Sequence, residues 1–256
     1  MSPRAARKRQ TTAAAEFEPI RMEPAYRKVA AALLERITDR TMSAGERLPP
    51  EIELARQFGV HRGTVREALR ELESNGVLKR ERGSKLMMVT RPARVVVAAG
   101  VSRALALHDV SFRDVWEALT ALEPPMAAAA ARQRSAADLA KLEGIVARLD
   151  DGDLDTAQVV EQTADFFHAI GEATANGVFM LAHEPLVQLL VPSLEAMINQ
   201  VPQARRRIAE AQRKLLLAIR ERSATQASDW MAKHIRDFRR GFEIAGIELE
   251  RRVGTD

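Results

Sequence analysis

The 256-residue sequence contains no cysteine and few aromatic side chains. Without cysteine the chain forms no disulfide framework, no catalytic thiol and no cysteine-rich zinc site, and its composition suits a reducing cytoplasm. Aromatic residues make up 4% of the chain, whereas hydrophobic residues make up 46% and charged residues 29%. This mixture, rich in Ala, Leu, Glu and Arg, favours helices, so we expect a mostly α protein.

The sequence also lacks a run of about 18 or more consecutive apolar residues, the length that a membrane-spanning helix needs. Its first ten residues, Met1–Gln10, are basic and polar, without the apolar core of a secretory signal. We therefore expect a cytoplasmic protein with no membrane span.

Positive charge is concentrated near the N-terminus. Residues 1–94 carry 20 Lys and Arg against 12 Asp and Glu, whereas the remainder carries 19 against 23. A basic module joined to a mildly acidic one indicates that the first meets a polyanion such as nucleic acid. A solvated basic surface is the alternative.

The N-terminal part follows a recognisable order of predicted elements. Residues 1–22 have no apolar period and are predicted to be a disordered basic tail. Within residues 23–90, helical spacing from Tyr26 to Arg40 is followed by two shorter helices, Glu51–Phe58 and Arg62–Ser74, and then by two short strands around a glycine-containing tip. This order predicts a winged helix-turn-helix domain.

The C-terminal part shows no strand alternation beyond a predicted linker at residues 91–98. We expect residues 99–251 to form an antiparallel bundle of six or seven helices, because helical spacing is interrupted only at turn-forming residues. The predicted helices are Val95–Leu107, Phe112–Gln133, Ala136–Leu149, Thr156–Thr174, Gly177–Asn199, Gln203–Arg222 and Thr225–Arg251.

The third predicted helix carries the candidate DNA-reading residues. Arg62 and Arg66 lie four residues apart on one face, so both guanidinium groups can reach a major groove, one reading guanine edges and the other holding phosphate. His61 and Thr64 can cap the helix or bind a phosphate. A solvated face explains either arginine alone, but it does not explain the ordered motif and hairpin together.

The segment from Leu48-Pro-Pro-Glu51 to Arg62-Gly-Thr-Val-Arg-Glu-Ala-Leu69 resembles the GntR superfamily of bacterial transcriptional regulators. Ile52 stands where the family usually has Arg, so we expect one DNA contact to be lost. The resemblance implies that operator DNA is bound by His61, Arg62, Thr64 and Arg66 on the recognition helix and by Arg82 and Gly83 on the wing. Lys85 replaces a usual wing-tip Gly, and we predict that it also binds DNA.

The C-terminal part resembles the helical effector-binding domain of the FadR-like branch, through Val115–Glu123, Phe167–Asn176 and Met231–Ile235. The resemblance implies a homodimer that binds a palindromic operator and responds to a small molecule, as a ligand-responsive repressor does. A degenerate domain kept for dimerisation, or an architectural DNA-binding protein without an effector, are the alternatives.

Many members of that branch hold a divalent metal with an Asp four residues before a first His and two further His on later helices. Here His168 and His234 match, but Ala164 and Gln212 stand at the other two positions. We therefore expect zinc to bind weakly, if at all. The alternative is that His168, Gln212 and His234 hydrogen-bond one another or buried water.

Leu119 stands where the branch often has an Arg for carboxylate ligands. Loss of this anchor and of a metal ligand favours a more hydrophobic effector, such as a lipid or an acyl compound. The predicted effector-binding residues are Leu119, His168, Gln212 and His234. An enzyme with a metal site in its helical bundle would need paired Glu-x-x-His motifs, which the sequence lacks, so we expect no catalytic activity.

Overall fold

A computed structural model of the chain describes residues 23–81, 83–84, 86–150 and 154–254. The chain divides into two compact units, Met1–Arg91 and Pro92–Asp256. The elements of the first unit are α1 (Ala25–Thr38), α2 (Glu51–Phe58), α3 (Arg62–Ser74), β1 (Leu78–Arg80) and β2 (Met87–Val89). Those of the second are α4 (Arg94–Leu107), α5 (Phe112–Gln133), α6 (Ala136–Asp150), α7 (Thr156–Ala173), α8 (Gly177–Gln200), α9 (Ala204–Arg220) and α10 (Ala224–Ile244).

The first unit packs three helices and a hairpin around one apolar core. Val65 and Leu72 of α3 are buried together with Leu33 of α1, and the antiparallel pair β1–β2 covers this core through Leu78. The turn between α2 and α3 depends on Gly59, whose φ of 64° is left-handed and suits a residue without a side chain. The predicted helix-turn-helix and hairpin are confirmed.

Among the described residues, the second unit is a bundle of seven helices in which α5 is central. This helix packs against α7, α8, α9 and α10, and its buried face carries Trp116, Leu119 and Met126. Three helix starts among the described residues are closed by capping boxes, in which Ser111, Ser135 and Asp155 each accept a hydrogen bond from the backbone N–H three residues later. The predicted bundle is confirmed.

Two boundaries differ from those predicted, and one predicted segment is not described. The first helix of the bundle begins at Arg94, inside the predicted linker 91–98, because the proline at 92 restricts only the residues before that point. The last helix ends at Ile244 rather than Arg251, where Gly246 takes a φ of 72° and turns the chain. The predicted tail, residues 1–22, lies outside the described residues.

Helix α8 is long and apolar enough to cross a membrane by length and composition alone, although the sequence predicted no such segment. The helix is partly buried: 33% of its most apolar stretch lies inside the second unit. It packs against α4, α5 and α7, and its buried side chains include the polar His183 and Glu184. Pro185 and Pro192 also lie within it.

Candidate functional site

Helix α3, the predicted recognition helix, separates an apolar face from a basic one. Val65, Ala68, Leu69 and Leu72 are buried in the first unit, whereas Arg62, Arg66 and Gly63 are exposed. The first turn of α3 contains no acidic residue, so the positive end of the helix dipole is not neutralised there by its own side chains. His61 occupies the N-cap position without a side-chain capping bond, which leaves its ring available for another partner.

Glu51, at the start of α2, holds both predicted DNA-reading arginines. Arg62 Nε donates to Glu51 Oε2 at 2.8 Å, and Arg66 Nη2 donates to the same oxygen at 3.0 Å. The hydrogen bond from Arg66 is the main reason why the pKa of Glu51 is below its usual range, and Glu51 in turn raises the pKa of Arg66. The carboxylate therefore fixes two exposed guanidinium groups side by side on the helix face.

The wing residues are described only in part. Gly83 lies in an exposed turn between β1 and β2 with a φ of 76°, a left-handed conformation that favours glycine. Arg82 and Lys85, both predicted to bind DNA, lie outside the described residues. On α2, Ile52 is 66% exposed. Exposure is expected here, because this position usually carries a DNA-binding Arg in the family that the sequence resembles.

An apolar cavity of about 40 Å³ lies inside the second unit, between α5, α7, α8 and α10. Its lining includes Trp116, Leu119, Ala164, Phe167 and Phe238. The volume is close to that of one water molecule, so a larger ligand enters only when side chains move. The structure thus places the predicted effector residue Leu119, together with Ala164, on an apolar wall.

A second cavity, of about 240 Å³, lies between α8, α9 and α10. It combines the imidazole of His234 with Arg207, Asp237, Arg240 and the ring of Phe238. Phe238 lines both cavities. His168 and Gln212 line neither of them, so the four predicted effector residues are divided among separate environments.

His234 is enclosed by aromatic rings. Its imidazole stacks on Phe167 with centroids 5.6 Å apart and lies 4.5 Å from the ring of Phe238. Burial lowers the pKa of His234 to about 3, so the ring is neutral at physiological pH. Its Nε2 and both amide atoms of Gln212 find no hydrogen-bond partner among the described residues. Gln212 and His234 therefore do not bond to each other, and the alternative that they bond to buried water stays a prediction.

A polar cluster connects α5, α7 and α8. His168, His183 and Glu184 each offer a ligand atom, and these atoms lie within 4.8 Å of one another. Glu184 Oε2 is 2.6 Å from His168 Nε2, and Glu123 Oε1 is 2.5 Å from His183 Nδ1. Glu123, His183 and Glu184 are almost completely buried, whereas 29% of the His168 side chain is exposed.

Glu184 remains ionised in this setting. Burial, the strongest influence, raises its pKa, but the close contact and charge of His168, with smaller contributions from Gln188 and His183, together bring the pKa below its usual range. A second carboxylate nearby on α7, Glu172, is a further candidate metal ligand by its position in the sequence. It binds Arg94 and Lys141 instead, and these partners lower its pKa against the effect of burial.

Family comparisons match one model in each unit. The model of bacterial regulatory proteins, gntR family, matches residues 25–86, and the FCD domain model matches residues 114–237. Together these matches cover more than half of the chain. The chain belongs to the GntR family of bacterial regulatory proteins. As a GntR-family protein it combines a DNA-binding helix-turn-helix unit with an FCD effector-binding domain.

Several GntR-family relatives cover most of the chain. The Uxu operon regulator of Haemophilus influenzae is 29% identical over 87% of this chain and 84% of its own. The transcriptional repressor NanR of Edwardsiella tarda is 25% identical over 70% of this chain and 72% of its own. The solved Streptococcus agalactiae GntR superposes with a TM-score of 0.59 at 25% identity, covering 84% of this chain and 99% of that one. Such relatives are regulators rather than enzymes, as the sequence predicted.

The metal-ligand set expected for the FadR-like branch does not fit this GntR-family chain. Ala164 presents a methyl group to the apolar cavity, and Gln212 is buried without a partner among the described residues. Of the two matching histidines, His168 belongs to the polar cluster and His234 does not. His183, Glu184 and Glu123 were not predicted from the sequence. The available signal was a His-Glu-Pro sequence interrupting the apolar helix α8.

Proposed function

We propose that this GntR-family regulator binds a palindromic operator as a homodimer and represses transcription until an effector enters its FCD domain. The observation that carries the proposal is the exposed pair Arg62 and Arg66, one helical turn apart and fixed by Glu51 on the recognition helix. One such helix reads only a few base pairs, so two symmetric half-sites are needed for a specific site. A DNA-binding regulator of this kind acts in the cytoplasm, at the nucleoid.

The DNA-reading residues divide between the recognition helix and the wing. Arg62 and Arg66 contact base edges or phosphate in the major groove, because both guanidinium groups are exposed on the face opposite the core. His61 and Thr64 contact the backbone near the start of α3. The wing adds Arg82, Gly83 and Lys85, of which Gly83 lies at the exposed turn.

Two neighbouring helices support self-association. Large apolar side chains are exposed on α4 and α8, which pack against each other. They are Val96, Val101, Leu107, Val178 and Leu181. Apolar surface shared by two packed helices suits an isologous contact, in which the same patch serves both protomers.

The effector is proposed to be a hydrophobic molecule, such as a lipid or an acyl compound. Leu119 and Ala164 remove the charged and metal-binding groups that a small carboxylate would use, and the surrounding wall is aromatic and aliphatic. We assign His234 to the polar cavity beside Arg207 and Arg240, where it faces a ligand rather than a metal. Gln212 and His168 line neither cavity. We propose that they affect effector binding only indirectly, through the residues that they contact.

Selection of bound sequences from a random duplex library tests the operator. We expect a short inverted repeat and, in sedimentation experiments, a dimer at micromolar protein concentration. A direct or single site, or a stable monomer, would contradict the homodimer. Acyl compounds of increasing chain length are then added to the protein–operator complex, and an unchanged operator affinity with every compound would contradict the proposed effector class.

A further inference from the structure

We infer that His168, His183 and Glu184 form a binding site for a divalent transition-metal ion such as zinc between α7 and α8, with Glu123 orienting His183 from α5. Two of these ligands lie outside the ligand set that the FadR-like resemblance implies. The site is independent of the DNA-binding surface and of the identity of the effector. The evidence for this site is the geometry of the cluster, its buried atoms without hydrogen-bond partners, and its charge.

His168 and Glu184 bring two potential ligand atoms close together, within 4.8 Å of a third from His183. Their Nε2 and Oε2 atoms are 2.6 Å apart. Nevertheless, His168 Nε2 is buried and makes no hydrogen bond of acceptable angle among the described residues. Two ligand atoms at about 2.05 Å from one tetrahedral ion are roughly 3.3 Å apart, so an ion bound here would move this nitrogen and oxygen apart by less than about 1 Å.

His183 is oriented as a metal-binding histidine. Its Nδ1 is held by Glu123 Oε1, and its Nε2 is buried without a partner in the part of the chain that the structure describes. A carboxylate that fixes one ring nitrogen leaves the other for a metal and increases the basicity of the ligand. The ring of His183 also lies perpendicular to that of His168, with centroids 6.1 Å apart.

The charge of the cluster also favours a cation. Two carboxylates, Glu123 and Glu184, are buried, and the ion pairs described for them are with histidines only. The nearby cations Arg94 and Lys141 contact Glu172 instead. Buried carboxylates need compensating charge, which a divalent ion supplies without requiring either histidine to be protonated.

The ligand types and exposure define the class of ion. Two imidazoles and one carboxylate suit zinc, cobalt or nickel, whereas magnesium and calcium prefer an all-oxygen set. Three protein ligands leave a fourth position for water or a ligand. Because part of the His168 side chain is exposed, the ion has a route to solvent and is expected to exchange.

Cobalt binding tests the site on the full-length protein after metal is removed with a chelator. We expect one Co²⁺ per protomer, with visible absorption bands typical of four-coordinate cobalt, and displacement by Zn²⁺. Changing any ligand, by His168→Gln, His183→Gln or Glu184→Gln, should weaken cobalt binding at least about 10-fold. Glu123→Gln should weaken it by about 10- to 100-fold while leaving the stoichiometry intact.

Two control variants show whether cobalt binds at this cluster or at another histidine. His108→Gln removes an exposed histidine and should leave cobalt binding unchanged. His234→Gln removes a histidine of the family-type set and should also leave it unchanged. Because His168 is the least buried ligand, His168→Gln is expected to retain the native helical circular dichroism, so loss of binding in it cannot be ascribed to unfolding. No cobalt binding by the unmodified protein at micromolar concentration, an unchanged cobalt affinity in His168→Gln, or loss of binding in His234→Gln would overturn the assignment.

Discussion

Replacing Arg66 by alanine should weaken operator binding and relax its sequence preference. Arg66 is exposed on α3 and shares the Glu51 carboxylate with Arg62. A bidentate contact to a base is worth roughly a 5- to 150-fold discrimination per half-site. The arginine must give up or share Glu51 to make that contact, and losing an exposed ion pair offsets up to about 1 kcal/mol of the gain. We therefore expect a loss in the lower half of the range, roughly 5- to 30-fold per half-site.

Fluorescence anisotropy with labelled operator and scrambled duplexes at several salt concentrations measures this effect. The Arg66→Ala protein should lose affinity for the operator much more than for scrambled DNA. Arg236→Ala, which removes an exposed arginine from α10 in the other unit, is the matched control and should behave as the unmodified protein. Equal losses on operator and scrambled DNA would show that Arg66 contacts only phosphate, and no loss on either would refute its position in the groove.

Three further changes test other parts of the molecule. Ile52→Arg restores the basic residue expected at this exposed position, so affinity for DNA should rise and the slope of log affinity against log salt should steepen by about one, as measured by salt titration. Leu119→Ala enlarges the apolar cavity and should lower the free energy of unfolding in denaturant by about 2–5 kcal/mol. His234 is neutral when folded, with a pKa of about 3, whereas the unfolded chain binds a proton near pH 6.5. As the pH falls below about 6.5, His234 should therefore lower the free energy of unfolding by about 1.4 kcal/mol per pH unit. His234→Phe should remove this contribution, as measured in melts at several pH values.

The order of elements was predictable because local signals agreed with the global fold. Helical spacing, the turn at Gly59 and the glycine-containing hairpin predicted a winged helix-turn-helix, and the spacing of Arg62 and Arg66 predicted a shared exposed face. The pairing of both arginines with Glu51 was not predictable, since it joins side chains of two helices whose crossing depends on packing.

The polar cluster was missed for a related reason. Spacing along one helix identifies neighbours three or four residues apart, but Glu123, His168 and His183 come from three helices that meet only in the folded bundle. The family pattern instead predicts metal ligands at positions 164 and 212, where this chain has Ala164 and Gln212, which supply no ligand. The metal site is indicated by buried atoms without hydrogen-bond partners. Such atoms cannot be identified from the sequence, because the contacts of each side chain are known only in the folded structure.

Phe167 connects the features of the FCD domain that otherwise lie apart. Its ring lines the apolar cavity, stacks on His234 and lies 6.3 Å from the ring of His183. The apolar cavity is too small for an acyl chain unless such a side chain moves. An effector that displaces Phe167 therefore changes the surroundings of both histidines, one beside the polar cavity and one in the proposed cation site. Because coupling between two binding sites is reciprocal, an ion that fixes His183 would alter effector affinity by the same factor by which the effector alters ion affinity.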